Sequence, residues 1–565
     1  MGENKRQSFM YGALILVCGT FIVKLIGFIY KVPLMNMIGE VGMGYYNTAY
    51  NIYVWFFTIS TAGIPVAISK MISIANSERN YLEEKRIFRL SIRIFVIIGA
   101  FGSAVMLFGA GLFADAAKQP NSYYSLMVIA PTVLFVCITS SYRGYFQGNQ
   151  NMFPTAISEV IEALGKLCIG LFAIWFAINK LGFKLAPPDM GSSANYDDKY
   201  IAAFAVSGLT IGVIGGSLFL IITKFFYNKK KAQKEESFLS GSDTRLPKAM
   251  RAARIRPDGQ IIKDILKISI PVTLSASLIS LSSFIDTFTM TRRLVSIGYT
   301  QDAATGAFGS YTTMAVSFFN FPNSLILPIG VSILPVIAAA YAKKETEIMK
   351  STINSAFRIV SIIAMPCAFG IACMSKPILN LLFVNKESVN NTAPLLSVLA
   401  VGIVFVAMVS VTNTMLQAQK YQYKTIISMA CGAGVKLILS YILVGIKSVG
   451  RYGTPISTCL AYLTIMSINF YFLAKYTKIV PSVRKTFMKP FIASAIMAVC
   501  AILSYMLLSN VLHSSKVAVL AAIIIAFAIY LVLVLVFKTL TREDVLLLPK
   551  GTKLYEGMKK WKLID

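Results

Sequence analysis

The chain alternates between long apolar runs and short polar punctuation. Reading each run of roughly 20 apolar residues as one membrane crossing gives fourteen expected spans. Six lie near 9–36, 45–69, 90–114, 123–146, 154–178 and 201–226. Six more lie near 264–290, 307–341, 351–374, 392–417, 424–446 and 453–474, and a last pair lies near 489–511 and 515–537. The apolar piece Ile378–Val384 is too short to cross and reads as interfacial or re-entrant. The first run is too long for the apolar core of a signal peptide and is expected to stay as the first helix.

These runs predict an all-α polytopic membrane protein: an N-terminal six-helix lobe (1–227), a basic cytoplasmic loop (228–262), a second six-helix lobe (263–475), and a final helix pair with a tail (476–565). A repeat supports two lobes. Residues 147–171 and 417–441 align without gaps at an offset of 270, pairing Gln147 with Gln417, Thr155 with Thr425, Ser158 with Ser428, Lys166 with Lys436 and Leu167 with Leu437. With six spans per lobe, both copies enter the membrane in the same direction, a parallel repeat of the kind found in transporters.

Composition agrees: 56% of the 565 residues are hydrophobic and 14% charged, with mean hydropathy +0.67. The net charge of +29 resembles a nucleic-acid footprint until the basic residues are placed. They concentrate in alternate loops (Lys70, Arg79, Lys85, Arg86 and Arg89; Lys229 to Lys263; Lys475 to Lys489), whereas an opposite loop carries Asp189, Asp197 and Asp198. That is the positive-inside pattern, with both termini cytoplasmic. The basic loop reads as a topology signal that also attracts anionic headgroups; no aromatic interleaving points to nucleic acid. The eight cysteines all lie in apolar runs without metal-ligand spacing, and His513 sits at a helix end, so neither a disulfide nor a metal site is expected.

Without nucleotide-binding, hydrolase or metalloprotease motifs, function has to lie with polar groups inside the spans, since each buried charge there is costly. Lys24 and Lys31, seven positions apart on the first span, share a helix face. Glu162 and Lys166 stand at i,i+4 and are expected to pair. Asp286 and Lys436 lack an opposite charge on their own helices. The lysines outnumber the acids, so a cavity between the lobes is expected to attract anions. Gly63, Pro65, Pro322, Pro328, Gly330 and Pro335 mark places where helices bend.

Lys24-Leu-Ile-Gly-Phe-Ile-Tyr-Lys31, continuing through Val32-Pro33-Leu34 to Gly44-Tyr45, resembles the opening of the polysaccharide-biosynthesis, stage V sporulation protein B-like family. Arg143-Gly-Tyr-Phe-Gln-Gly148 followed by Asn151-Met-Phe-Pro-Thr155 is similar to that family's fourth-to-fifth-span motif. The family belongs to the multidrug/oligosaccharidyl-lipid/polysaccharide exporter superfamily, which includes MurJ-type lipid II flippases. The resemblance implies alternating access, carrying an undecaprenyl-diphosphate-type lipid-linked glycan from inner to outer leaflet of a bacterial plasma membrane. No cofactor is expected; the charge of a diphosphate makes membrane potential the expected drive, with Na+ or H+ coupling as the alternative, and a transporter of this plan can work as a monomer. The resemblance places Lys24 and Lys31 toward the substrate's diphosphate and Asp286, Ser440 and Thr458 at positions of a cation site; the intramembrane Lys166 and Lys436, with Asn320, complete the candidate substrate-binding residues. The chain departs from the family's pattern at Thr58, Ser317, Asn320 and Val444, where charged residues are expected. A flippase for another lipid-linked polysaccharide, a multidrug or cation exporter, a non-transporting scaffold and a membrane enzyme are the competing readings. The basic excess disfavours a cation exporter, and the lack of a catalytic loop disfavours an enzyme.

Overall fold

The structure is a computed structural model describing residues 3–78, 80–185, 196–239, 256–477, 484–512, 514–541 and 544. Arg79, Asp189, His513 and the side chains of the basic stretch 228–255 lie outside the described residues.

All regular structure among the described residues is helical, as expected where lipid offers no partner to an open backbone. Twelve helical stretches are long and apolar enough to cross a membrane, and thirteen with the helix Asp258–Ser296, which bends by 45° between Leu278 and Ser280. The first stretch, Cys18–Ser77, is 60 residues long and holds two expected spans. They are joined at Gly39, whose φ of 70° is open to glycine at no steric cost. Ring geometry shows the chain reversing there. The centroids of Tyr30 and Tyr46 are 6.5 Å apart, whereas the same sixteen residues in continuous helix would span about 24 Å. This brings the helices close to the fourteen crossings expected. Ile378–Leu382 ends the helix Thr346–Leu382, beyond a break at Met374 (φ −106°, ψ 17°), and Phe383–Val384 follow it.

The chain divides into two compact units, Met1–Thr287 and Phe288–Asp565, with the boundary inside the helix Asp258–Ser296. In the first unit, one face of the helix Ile64–Ser77 (Ile64, Ile68, Met71, Ile72) packs with Ile87, Phe146, Leu220, Ile261 and Ile265. Gly63 is small because another backbone occupies the space of a side chain: a Cβ there would lie 2.2 Å from the Ser269 carbonyl oxygen. Its N–H donates to Thr273 Oγ1 at 3.1 Å. The helices Phe153–Asn179 and Asp198–Leu239 approach just as closely, since a Cβ on Gly165 would meet Gly212 Cα at 2.5 Å. Small residues at such contacts are how membrane helices gain van der Waals packing without a hydrophobic driving force. In the second unit the core is Ile326, Ile333, Ile353, Phe357, Val360, Met408, Val411 and Met415.

The sequence repeat has a counterpart in backbone geometry. The helix ending at Gly148 closes with N–H donations from Asn149 to Tyr145 O, Gln150 to Gln147 O and Asn151 to Phe146 O, at 3.1, 3.0 and 2.9 Å. At an offset of 270 positions, Gln419, Lys420 and Tyr421 donate to Met415, Gln417 and Leu416, at 3.3, 3.0 and 2.8 Å. Gln150 and Lys420 both take the left-handed conformation, with φ of 57° and 66°. In each copy the serine one turn into the next helix donates back to a threonine carbonyl, Ser158 to Thr155 and Ser428 to Thr425.

Candidate functional site

In the first unit, three helical segments bring charge and aromatic rings together. The helix Thr132–Gly148 supplies Arg143, and Phe153–Asn179 supplies Ser158, Glu159, Glu162 and Lys166. The long first helix, folded at Gly39, supplies Tyr30 and Lys31 from one arm and Tyr46, Tyr50 and Tyr53 from the other.

Glu162 does not pair with Lys166. Its Oε1 accepts from Arg143 Nη2 at 2.8 Å, while Arg143 Nε donates to Ser158 Oγ at 3.0 Å and Arg143 Nη1 stands 4.0 Å from Glu159 Oε1. Arginine's planar fork can serve several acceptors at once, which a lysine cannot do with fixed geometry. The i,i+4 spacing made the helical neighbour look like the natural partner, and the preceding helix supplies a better one.

Lys166 instead lies among tyrosine faces. Its Nζ is 4.4 Å from the centroid of the Tyr50 ring, 5.2 Å from Tyr30 and 5.9 Å from Tyr46. Within about 6 Å of a ring centroid an ammonium is attracted by the ring quadrupole, so the cage holds a charge without neutralising it. Tyr46, Tyr50, Tyr53 and Phe57 form a continuous ring ladder, with successive centroids 6.1, 6.3 and 5.8 Å apart. Tyr30 Oη donates to the Ala205 carbonyl at 3.4 Å, which fixes one wall. These tyrosines were missed in the sequence, although their spacing of four, three and four marks one helix face.

Lys31 is half-buried and follows Tyr30, a wall of the Lys166 cage, on the same arm of the first helix. Lys24 is exposed and makes no ion pair or hydrogen bond among the described residues. The first helix therefore places its two lysines in different surroundings. Thr58, where relatives are expected to carry a basic residue, shares a hydrogen bond with Ser280 at 2.9 Å. Asp286 is buried on the helix Asp258–Ser296, and Asn51 donates to its neighbour Thr287 at 3.1 Å.

The second unit carries the repeat-related lysine in a different setting. Lys436 is 2% exposed and donates to Thr458 Oγ1 at 3.0 Å. Ser440 shares a hydrogen bond of 2.9 Å with Thr289. Ser440 and Thr458 are thus both engaged, and the Lys436 ammonium sits on Thr458. Among the described residues no group of three or more His, Cys, Asp or Glu is placed to hold a metal ion. Asn320 is exposed on the helix Val316–Lys343, apart from Lys436 and Thr458 in its contacts.

The repeat also shows how one frame is used twice. Positions 143 and 158 are joined directly as Arg143 and Ser158. The matching positions 413 and 428 are joined through Asn469, which accepts from Ser428 at 2.6 Å and donates to Asn413 at 2.8 Å. The charged version is found only in the first unit among the described residues.

A duplicated all-helical membrane protein with charged side chains packed inside its spans has the architecture of a transporter. The model of the family described as polysaccharide biosynthesis protein matches residues 9–341, and that of the MatE family matches 271–442. The chain belongs to the polysaccharide biosynthesis protein family. It is similar to stage V sporulation protein B of Bacillus subtilis (strain 168), at 24% identity covering 96% of this chain and 98% of that protein. It is also similar to the lipid II flippase MurJ of the same organism, at 24% identity over 83% of each chain. Among solved structures it resembles lipid II flippase MurJ in an inward closed conformation, with a TM-score of 0.67, 15% identity, and coverage of 93% of this chain and 98% of that one.

Proposed function

We propose that the protein is a flippase that moves a polyprenyl-diphosphate-linked glycan from the inner to the outer leaflet of a bacterial plasma membrane by alternating access, with both termini cytoplasmic. The observation that carries this reading is the placement of Lys166. Arg143 takes the nearby carboxylates, which leaves the lysine in a tyrosine cage without a carboxylate partner, one wall of the cage being Tyr30, the residue before Lys31. Such a cluster inside a membrane span favours an anion. A diphosphate suits it, because lysine binds phosphate as a point charge. Similarity to a lipid II flippase supports lipid II as the glycan carried.

Membrane potential is a sufficient driving force. A diphosphate carries about two negative charges, and 100 mV, inside negative, is worth about 2.3 kcal/mol for each charge crossing the field. Outward movement therefore gains up to about 4.6 kcal/mol. The MatE match over 271–442 favours a second reading, a cation exporter, but an ammonium cluster would repel its substrate.

Reconstituted vesicles loaded with a fluorescent polyprenyl-diphosphate glycan test the proposal, alongside complementation of a lipid II flippase depletion. Outward flipping that collapses in a Lys31→Gln, Lys166→Gln double variant is expected. Unimpaired flipping in that variant would overturn the assignment, and drug efflux without flipping would favour the cation exporter.

A further inference from the structure

A cavity of about 550 Å³ lies in the second unit. It is lined by Lys376, Lys386 and Lys516, by Asn380, Asn390 and Ser515, and by an apolar floor that includes Leu381, Phe383 and Val519. Its walls are the end of the helix Thr346–Leu382, the first turn of Lys386–Ala418 and the first turn of Ser515–Val536. In the proposed topology this end of the unit faces outward, at the level of the outer-leaflet headgroups.

Three features make it an anion site. The lysines carry three positive charges, and none of them makes an ion pair among the described residues. The helix Ser515–Val536 starts at Ser514 without a side-chain cap, so its first backbone N–H groups remain available as donors. Lys516 sits in that same first turn, where the helix dipole disfavours a cation. An anion bound there relieves both. The helix Lys386–Ala418 differs, because Asn385 already accepts from the N–H groups of Glu387 and Ser388.

The wall is also held in shape. The helix breaks at Met374 just before the lining begins, and Pro377 follows. Ser397 Oγ donates to the Ala372 carbonyl at 2.8 Å and shares a 2.8 Å hydrogen bond with Ser375 Oγ, which pins the break to the neighbouring helix. Beside the lysines stands Val384, 78% exposed, so the cavity joins charge to an apolar surface.

We infer that this cavity binds a lipid-borne phosphate, an anionic headgroup of the outer leaflet whose chains lie along the apolar side. It is separate from the Lys31–Lys166 cluster and does not depend on which glycan is carried.

Native mass spectrometry of the purified full-length protein tests the site, with phosphatidylglycerol as the probe and phosphatidylcholine as the neutral comparison. The variant K376Q/K386Q/K516Q is set against K344Q/K350Q/K475Q, which removes the same charge from exposed positions elsewhere. The expected result is at least a tenfold loss of phosphatidylglycerol adducts in the first variant alone. Retention of the adducts, or equal loss in both variants, would overturn the site. Displacement of the lipid by millimolar inorganic phosphate would show that free phosphate suffices and would overturn the lipid-borne assignment.

Discussion

Lys166 holds its ammonium 4.4 Å from the centre of the Tyr50 ring, a charge kept inside a membrane span by an aromatic face instead of a carboxylate. The two kinds of partner have different consequences. A carboxylate would cancel the charge that an anionic substrate reads, whereas a ring lowers the cost of burial and leaves the charge in place. Tyr50→Phe, which retains the ring, is therefore expected to keep transport near normal. Tyr50→Leu is expected to lower it roughly two- to thirtyfold, the equivalent of about 0.5–2 kcal/mol of cation–π stabilisation. Initial flipping rates in vesicles, compared with thermal unfolding of the same variants, separate a transport defect from a folding one.

Arg143 and Glu162 form a partly buried pair, with side chains 13% and 19% exposed. Removing the arginine alone strands a carboxylate in low dielectric, which costs about 3–5 kcal/mol when burial is complete. Partial exposure puts Arg143→Met at about 3 kcal/mol. The double variant Arg143→Met, Glu162→Leu replaces the pair by apolar contacts and is expected to recover most of that loss. Thermal midpoints in detergent check this, and a double variant no more stable than the single one would show that the pair is not the stabilising element.

Much of the fold was legible in the chain because lipid leaves a backbone so few options. Run lengths placed the spans, and the 270-residue offset placed a duplicated loop whose hydrogen bonds then proved to match. The site was legible residue by residue but not in its pairings. Glu162 and Lys166 satisfied every local rule for an ion pair, yet Arg143, nineteen positions earlier, reaches Glu162 because the helix Thr132–Gly148 folds back beside Phe153–Asn179. The tyrosine cage was hidden for the same reason. Tyr30 and Tyr46 meet only because Gly39 reverses the chain between them, and hydropathy does not record such a reversal.

Lys436 and Thr458 bear on coupling. A sodium ion bound to Thr458 Oγ1 would stand about 5 Å from the lysine ammonium, and two unit charges at that distance repel by roughly 3 kcal/mol at an effective dielectric near 20. Transport is accordingly expected to be unchanged when sodium is replaced by choline at constant membrane potential, and to fall when the potential is collapsed. Vesicle flipping assays under imposed potassium diffusion potentials measure both. A strict sodium requirement would move the coupling site away from Thr458 or displace the lysine from it.

Arg358 and Asp544 tie the segment after the last span to the helix Thr346–Leu382. Arg358 Nε and Nη2 donate to the two Asp544 oxygens at 2.6 and 2.9 Å, with the arginine side chain 10% exposed and the aspartate fully buried. Thr541 completes the clasp, its hydroxyl accepting from Arg358 Nη2 at 2.9 Å and its N–H donating to Asp544 Oδ2 at 2.7 Å. A two-pronged arginine–carboxylate contact fixes orientation as well as distance. Asp544→Ala should cost about 3–5 kcal/mol, since it leaves a buried guanidinium without its counter-charge. The clasp holds the chain emerging from the helix Ser515–Val536, so its loss should also free residues 537–541. Limited proteolysis should then cut selectively beyond Val536 in Asp544→Ala while the remainder stays intact. Cleavage at the same rate in both proteins would show that packing of the last helix pair, and not the ion pair, anchors this segment.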